Sequence, residues 1–182
     1  MAARCAPILL SFLLLVGPAV QAHALRGQDV HVHGQASVEV ALDRGVLELS
    51  LRAPGIGVLD FERPPLTTAE QAALRVAQSQ LQRGHWVTLP AAAQCRLIES
   101  SASAEGYAAA AAAATAPAPR RHAGFTALLR FRCANPPALR ALVLPLPTLF
   151  PGLHEVIVST VTDSGQGRSV VTADQPRVVL AP

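Results

Sequence analysis

The chain of 182 residues contains no lysine, and this absence limits what it can bind. All 15 basic residues are arginines, scattered singly except for Arg120-Arg121. A nucleic-acid-binding protein concentrates its basic residues on one stripe or one helix. The sequence therefore predicts no nucleic-acid partner, although its formal net charge is +3.

The common motifs of catalysis are also missing from the sequence. There is no G-x-S-x-G nucleophile elbow and no H-E-x-x-H metal motif. No glycine-rich loop leads from a strand into a helix, as nucleotide binding would require. Asp60 and Glu62 stand beside Arg63, which favours a solvated or ion-paired turn over an acid–base pair. We therefore expect a protein that is not an enzyme.

Long apolar runs are confined to the start of the chain, where residues 1–22 have the order of a secretory signal peptide. Arg4 supplies the positive charge, residues 8–16 are apolar, and small residues follow at a cleavage site after Ala22 or after Ala24. No later segment has the roughly 20 apolar residues that a membrane span needs. We expect an exported, soluble protein with no membrane insertion after signal cleavage.

Cysteine is scarce, and signal cleavage would remove Cys5 and leave only Cys95 and Cys133. An even pair of cysteines in an exported chain favours a disulfide over a metal or redox site. The bridge would close a loop of about 39 residues and stabilise the fold by about 4 kcal/mol on the chain-entropy model. The alternative is a pair of buried free thiols.

Hydrophobic periodicity predicts a β-hairpin at the start of the mature chain. Apolar and polar residues alternate over 30–42, a turn follows at Asp43-Arg44-Gly45, and alternation resumes over 47–51. An amphipathic helix is predicted from Thr67 or Thr68 to about residue 83. A short extended piece is expected at 56–61. Further strands are predicted at 94–100, 124–133, 154–162 and 169–173, with extended residues at 142–144.

These elements predict a single α+β domain over 23–182. It is mainly an antiparallel β-sheet with one principal helix and one disulfide. Between the two cysteine-bearing strands, residues 108–114 are all alanine, and Ala-Pro-Ala-Pro follows at 116–119. Low complexity and proline favour a flexible loop at about 102–122.

Two histidines, His31 and His33, are the leading candidates for a metal site. Side chains at i and i+2 of a strand point to the same face, so both imidazoles can bind one ion. Zinc needs about four ligands in a tetrahedral shell. Without further ligands, both histidines would be solvated residues on a polar face. The plausible additional ligands are Asp29, Asp60, Glu62, His122 and His154.

His23 offers a separate possibility, because cleavage after Ala22 would make it the mature N-terminus. Its α-amine and imidazole would then chelate copper, which favours tetragonal nitrogen ligands.

Several blocks of the chain, in this order, resemble the ZrgA-type periplasmic zinc-uptake proteins, long known as a domain of unknown function. They are HVHGQASVEVAL, FERPPLTTAEQ, CRLIES, LLRFRCANPPAL, LFPGLHEVIV and SGQG. The resemblance runs from Val30 to the C-terminus. It implies an exported protein that binds zinc and assists its import beside an ABC-type zinc transporter. His31 and His33 match the opening histidines of the family, and Glu62 matches the acid after the phenylalanine.

The chain departs from the family pattern at two places. The acid of the F-E motif is followed by histidine in the family, whereas Arg63 follows it here. Members also carry a loop rich in histidine and acid between the cysteine blocks, whereas this loop has His122 as its only histidine. Any zinc capacity should therefore be small and centred on the H-x-H stretch.

The sequence thus predicts a periplasmic zinc-binding accessory protein that holds Zn²⁺ and hands it to a transporter. The alternatives are a periplasmic interaction or adaptor module that binds no metal, and copper handling through His23. The predicted metal ligands are His31, His33, Glu62, His122 and His154.

Overall fold

A six-stranded mixed sheet forms the centre of the fold. The computed structural model describes residues 34–108 and 122–180. Within these ranges the strands lie in the order β3-β4-β2-β1-β6-β7, and a separate two-stranded sheet pairs β5 with β8. The strands are β1 (Gln35–Asp43), β2 (Val46–Pro54), β3 (Cys95–Glu105), β4 (Gly124–Cys133), β5 (Ala141–Val143), β6 (Glu155–Thr162), β7 (Gly165–Val171) and β8 (Arg177–Val179).

The predicted β-hairpin is confirmed as β1 and β2, but its first strand begins at Gln35. Gly34 before it has a φ of +78°, and residues 30–33 of the predicted strand lie outside the described residues. The turn of the hairpin is Arg44-Gly45, both with positive φ (46° and 77°), and it closes at the Asp43–Val46 pair. A two-residue turn of this hand matches the right-handed twist of the flanking strands. Alternation places Val38 and Leu49 in the core and leaves the polar residues on the open face of the sheet.

The predicted amphipathic helix is confirmed as α2 (Thr68–Gln82). A capping box starts it: the Thr67 side chain accepts the Glu70 N–H, and the Glu70 carboxylate accepts the Thr67 N–H. At the other end, the buried Trp86 indole donates to the Leu81 carbonyl oxygen at 2.8 Å. The helix packs against β3 and β4 and covers part of the buried face.

The predicted disulfide is confirmed, since Cys95 and Cys133 are joined with an S–S length of 2.05 Å. The two cysteines are direct register partners of β3 and β4. Strand β3 runs to Glu105, beyond the predicted end at residue 100, so residues 102–105 of the expected loop belong to the strand. Of the rest of that loop, residues 106–108 and 122 are described, and 109–121 lie outside the described residues.

The prediction of an extended piece at 56–61 is wrong for its first residues, because Gly55–Val58 forms one helical turn, α1. Close backbone contacts explain this turn. The Gly55 N–H donates to the Ala123 carbonyl oxygen at 2.8 Å, and a side chain at Gly57 would collide with Leu153. Only glycine permits this packing, which periodicity does not reveal.

Two features near the C-terminus were not predicted. Strand β6 pairs with β1 in parallel, whereas all other pairs of the large sheet are antiparallel. Strand β8 lies beyond the last predicted strand and pairs with β5. A short helix, α3 (Leu146–Leu149), precedes β6. In the described part of the chain, no helix is long and apolar enough to span a membrane.

Candidate functional site

Three of the predicted ligands lie at one end of the large sheet, which we call the histidine end. It comprises the first residues of β1, β4 and β6 and the last residues of β2, together with Glu62, His122 and His154. The register aligns these strand ends, since Gln35 pairs with Glu155 and Pro54 with Gly124. Because β4, β2, β1 and β6 are neighbours, segments far apart in sequence meet here.

Glu62 is held at this end by the backbone of α1. Its side chain is 20% exposed, and its Oε1 accepts the Ile56 N–H at 3.1 Å. Its Oε2 lies 3.9 Å from Nδ1 of His122. One carboxylate oxygen therefore anchors the side chain, and the other faces an imidazole.

His122 immediately precedes the buried Ala123 and the start of β4. Its side chain is 65% exposed. The Ala123 carbonyl oxygen accepts the Gly55 N–H, which ties the entry of β4 to α1. This hydrogen bond explains why His122 and Glu62 are neighbours although they are 60 positions apart in sequence.

His154 lies against the first described residue of the chain. Its N–H donates to the Gly34 carbonyl oxygen at 2.7 Å. A Cβ atom built on Gly34 would be only 2.6 Å from Cδ2 of His154, so the imidazole packs directly on the glycine. His154 therefore lies beside the point where the chain arrives from the H-x-H stretch.

Glycines also bring the α1 segment and the His154 segment into contact. A Cβ atom built on Gly152 would be 2.7 Å from the Gly57 carbonyl oxygen. The parts of the chain that carry Glu62 and His154 are thus packed together by close backbone approach.

Arg63 is directed to α2. Its guanidinium makes two hydrogen bonds to the Glu70 carboxylate, at 3.0 and 2.7 Å, and lies 5.1 Å from the centroid of the Phe61 ring. The hydrogen bonds from Arg63, with that from the Leu66 N–H, lower the pKa of Glu70 to about 2. The ion pair of Arg63 is formed with Glu70 of α2, whereas the sequence had indicated a turn of Arg63 with Asp60 and Glu62.

Tyr107 is part of this end although sequence reasoning did not single it out. Its ring is 5% exposed, and its hydroxyl donates to the Phe61 carbonyl oxygen at 3.2 Å. Burial, followed by the negative charge of Glu62, raises the pKa of this phenol far above its usual range. A lone tyrosine beside a low-complexity run carries no signal from which this position could be predicted.

His31, His33, Asp29 and His23 lie outside the described residues. Among residues 34–108 and 122–180, no three His, Cys, Asp or Glu side chains are close enough to hold a metal ion. Glu62 and His122 form one pair, and His154 lies beside Gly34.

A family model described as ZrgA family zinc uptake protein matches residues 30–180. The chain belongs to this family. The predicted resemblance is thereby confirmed, and membership of the ZrgA family supports a role in zinc uptake. The matched range includes His31, His33 and all three ligand candidates of the histidine end. Comparison with curated proteins found no match.

Proposed function

We propose that this protein is a periplasmic zinc-binding accessory protein that captures Zn²⁺ and hands it to a transporter of the ABC type. Zinc is its cargo, and no covalent chemistry is involved. One observation carries the proposal: the His154 imidazole packs on Gly34, the residue bonded to His33. His154 thus lies next to the point where the chain continues from His31 and His33.

The proposed primary ligands are His31, His33 and His154. Neutral imidazole binds zinc at about 2.0–2.1 Å, and three such ligands leave one position of a tetrahedral shell open. Glu62 and His122 lie at the same end of the sheet, Glu62 between α1 and α2 and His122 just before β4. They would complete the shell or receive the ion in a second step.

Labile coordination follows from the chemistry of this ligand set. His122 and His154 are both exposed, and Cys95 and Cys133, the two cysteines in the described part of the chain, are joined in a disulfide, so neither supplies a thiolate to retain the ion. Imidazole must be deprotonated to bind metal. Capture should therefore weaken as the pH falls through about 6.5, the usual pKa of histidine.

Isothermal titration of the mature protein with Zn²⁺ tests the proposal. We expect binding of about one ion, loss of binding in His31→Ala/His33→Ala, and a marked loss in His154→Ala. His85→Ala is the matched control, because His85 is exposed and follows α2 rather than any strand of the histidine end. No heat with Zn²⁺, or an unchanged isotherm in the double variant, would refute the proposal.

The open face of the sheet favours a second candidate function, a periplasmic adaptor that binds no metal. Val161 and Val170 are about half exposed on this face. An adaptor would retain its partners after chelation of metal and in the His31→Ala/His33→Ala variant. The third candidate, copper handling through His23, requires that N-terminal sequencing finds His23 first and that Cu²⁺ binds more tightly than Zn²⁺.

A further inference from the structure

The hydroxyl of Tyr107 contacts the backbone of the segment that carries Glu62. The ring packs edge-on against Phe61, with centroids 5.9 Å apart, and on the other side against Phe125 at 5.5 Å. These two contacts fix the plane of the phenol. With the ring held in this way, the hydroxyl donates to the Phe61 carbonyl oxygen, which belongs to the peptide bond between Phe61 and Glu62.

The absence of a side chain at Gly55 makes room for the Tyr107 hydroxyl. Any side chain at Gly55 would collide with the Tyr107 oxygen and with the Ala123 carbonyl group. Gly55 is also the residue before Ile56, whose N–H holds Oε1 of Glu62. The phenol therefore touches both backbone segments that determine where the carboxylate lies.

The phenol acts as a permanent donor at this place. Its oxygen lies 3.2 Å from the Phe61 carbonyl oxygen, which can only accept a hydrogen bond, so the phenol must donate. A neutral donor holds the Phe61 carbonyl without competing for the cation that Glu62 would bind. Groups that orient metal ligands in this way typically tune metal affinity.

We propose that Tyr107 is a positioning residue, which holds the Phe61–Glu62 segment so that the free oxygen of Glu62 faces His122 and the histidine end. Its role in zinc capture rests on the proposed function. The orientation of Glu62 itself does not, and it can be measured without metal.

Tyr107→Phe is the decisive variant, because it keeps the ring contacts and removes only the hydroxyl. We expect zinc affinity, measured by competition with a chromophoric chelator, to fall about tenfold, the lower end for residues that orient ligands. Thr126→Val is the matched control, since it removes a hydroxyl that pairs with Ser103 on the open face. Equal losses in both variants would overturn the inference.

A double-mutant cycle with Glu62→Gln tests whether Tyr107 acts through the carboxylate. We expect Tyr107→Phe to add almost nothing once Glu62 is replaced, because both changes remove the same effect. Additive losses would show that Tyr107 affects zinc binding by another route and would overturn the inference.

Hydrogen exchange of the Ile56 amide provides the measurement without metal. Loss of the phenol hydroxyl should loosen the Glu62 carboxylate and make this amide exchange about fivefold faster. Unchanged exchange would refute the role of Tyr107 whatever the zinc affinity. If the wild type binds no zinc but the amide still responds, the proposed function fails and the positioning role stands.

Fluorine NMR provides a further test, on a labelled protein that keeps the Tyr107 hydroxyl. The chain has one tyrosine, so 3-fluorotyrosine labels Tyr107 alone. Its resonance should shift on addition of Zn²⁺ in the wild type and remain fixed in Glu62→Gln. A shift of equal size in Glu62→Gln would contradict coupling through the carboxylate.

Discussion

The two ends of the six-stranded sheet are stabilised by different means. The opposite end, which we call the disulfide end, contains the Cys95–Cys133 bridge and the Arg44-Gly45 turn. It also borders a cavity of about 670 Å³, lined by Leu42, Pro136, Leu139, Thr162 and Leu180 among others. The histidine end has no covalent bridge among its described residues. Close approach of glycine backbones holds it together, at Gly34, Gly55, Gly57 and Gly152.

The disulfide end thus contributes mainly to stability, and the histidine end contains the candidate ligands. A disulfide stabilises the fold without contributing ligands, because its sulfurs are consumed. Glycine contacts, in contrast, set the positions of the segments that carry the candidate ligands Glu62 and His154. Changes at the disulfide end should therefore alter unfolding, and changes at the histidine end should alter metal affinity.

The largest expected effect on stability follows removal of the bridge. Cys95→Ala/Cys133→Ala should lower the free energy of unfolding by about 4 kcal/mol, because the unfolded chain regains the entropy of a long loop. Urea denaturation followed by fluorescence of Trp86, the single tryptophan, measures this loss. Zinc affinity of the folded variant should remain at the wild-type value. A parallel fall in affinity would show that the two ends are not independent.

Gly34→Ala should have the largest effect at the histidine end. Gly34 has a φ of +78°, and the new methyl group would displace the His154 imidazole. We expect zinc affinity to fall about tenfold or more. The left-handed backbone costs about 1–2 kcal/mol for a residue with a Cβ atom.

Gly165→Ala is the control at the far end. Its φ of +148° makes alanine unfavourable there too, but nothing lies within 4 Å of the added methyl group. It should lose stability and keep full zinc affinity. Equal affinity losses in both glycine variants would contradict a local role for Gly34.

The raised pKa of Tyr107 predicts that the folded protein loses stability in alkaline solution. The pKa of this phenol is raised in the folded state, so its contribution is complete below the unfolded pKa of about 10 and is lost as the pH rises above it. Absorbance at 295 nm should show no tyrosinate in the folded protein at about pH 10.5, whereas the urea-unfolded chain should titrate near pH 10. Free titration of the folded phenol would refute burial of its hydroxyl.

The smallest effect is expected for Glu70→Gln. Glu70 lies outside both ends of the sheet, and its replacement would weaken the contact with Arg63. The pKa of Glu70 is lowered to about 2 in the folded state, so its contribution is present above about pH 4.5 and is lost as the pH falls towards 2. Melting temperatures of the variant and the wild type should differ slightly at neutral pH and converge in acid. Zinc affinity should not change.

Local patterns were sufficient to predict much of the fold. Alternation over β1 and β2, the turn at Asp43-Arg44-Gly45 and the Thr67 cap each lie within a few residues, and each was found as expected. The cysteine pair was also predictable, because only two cysteines follow the apolar start of the chain.

Non-local contacts account for what the sequence did not reveal. Nothing near His154 indicates that β6 will pair in parallel with β1, and this pairing brings the imidazole to Gly34. The helical turn at Gly55–Val58 depends on Ala123, and the role of Tyr107 depends on Phe61 and Gly55. Such contacts join residues about 50 to 120 positions apart, beyond the range of periodicity.

The parallel pairing of β1 and β6 has a consequence for the stage of folding at which the proposed zinc binding becomes possible. It joins residues 120 positions apart, such as Gln35 and Glu155, so it is a slow contact to form. The hairpin and the cysteine-bearing strands are complete by Cys133, but the neighbour of Gly34 is His154. A chain that ends before His154 would therefore resemble the finished protein over much of its sheet and lack the imidazole that packs on Gly34. Under the proposed function, zinc binding would depend on synthesis of the chain through β6.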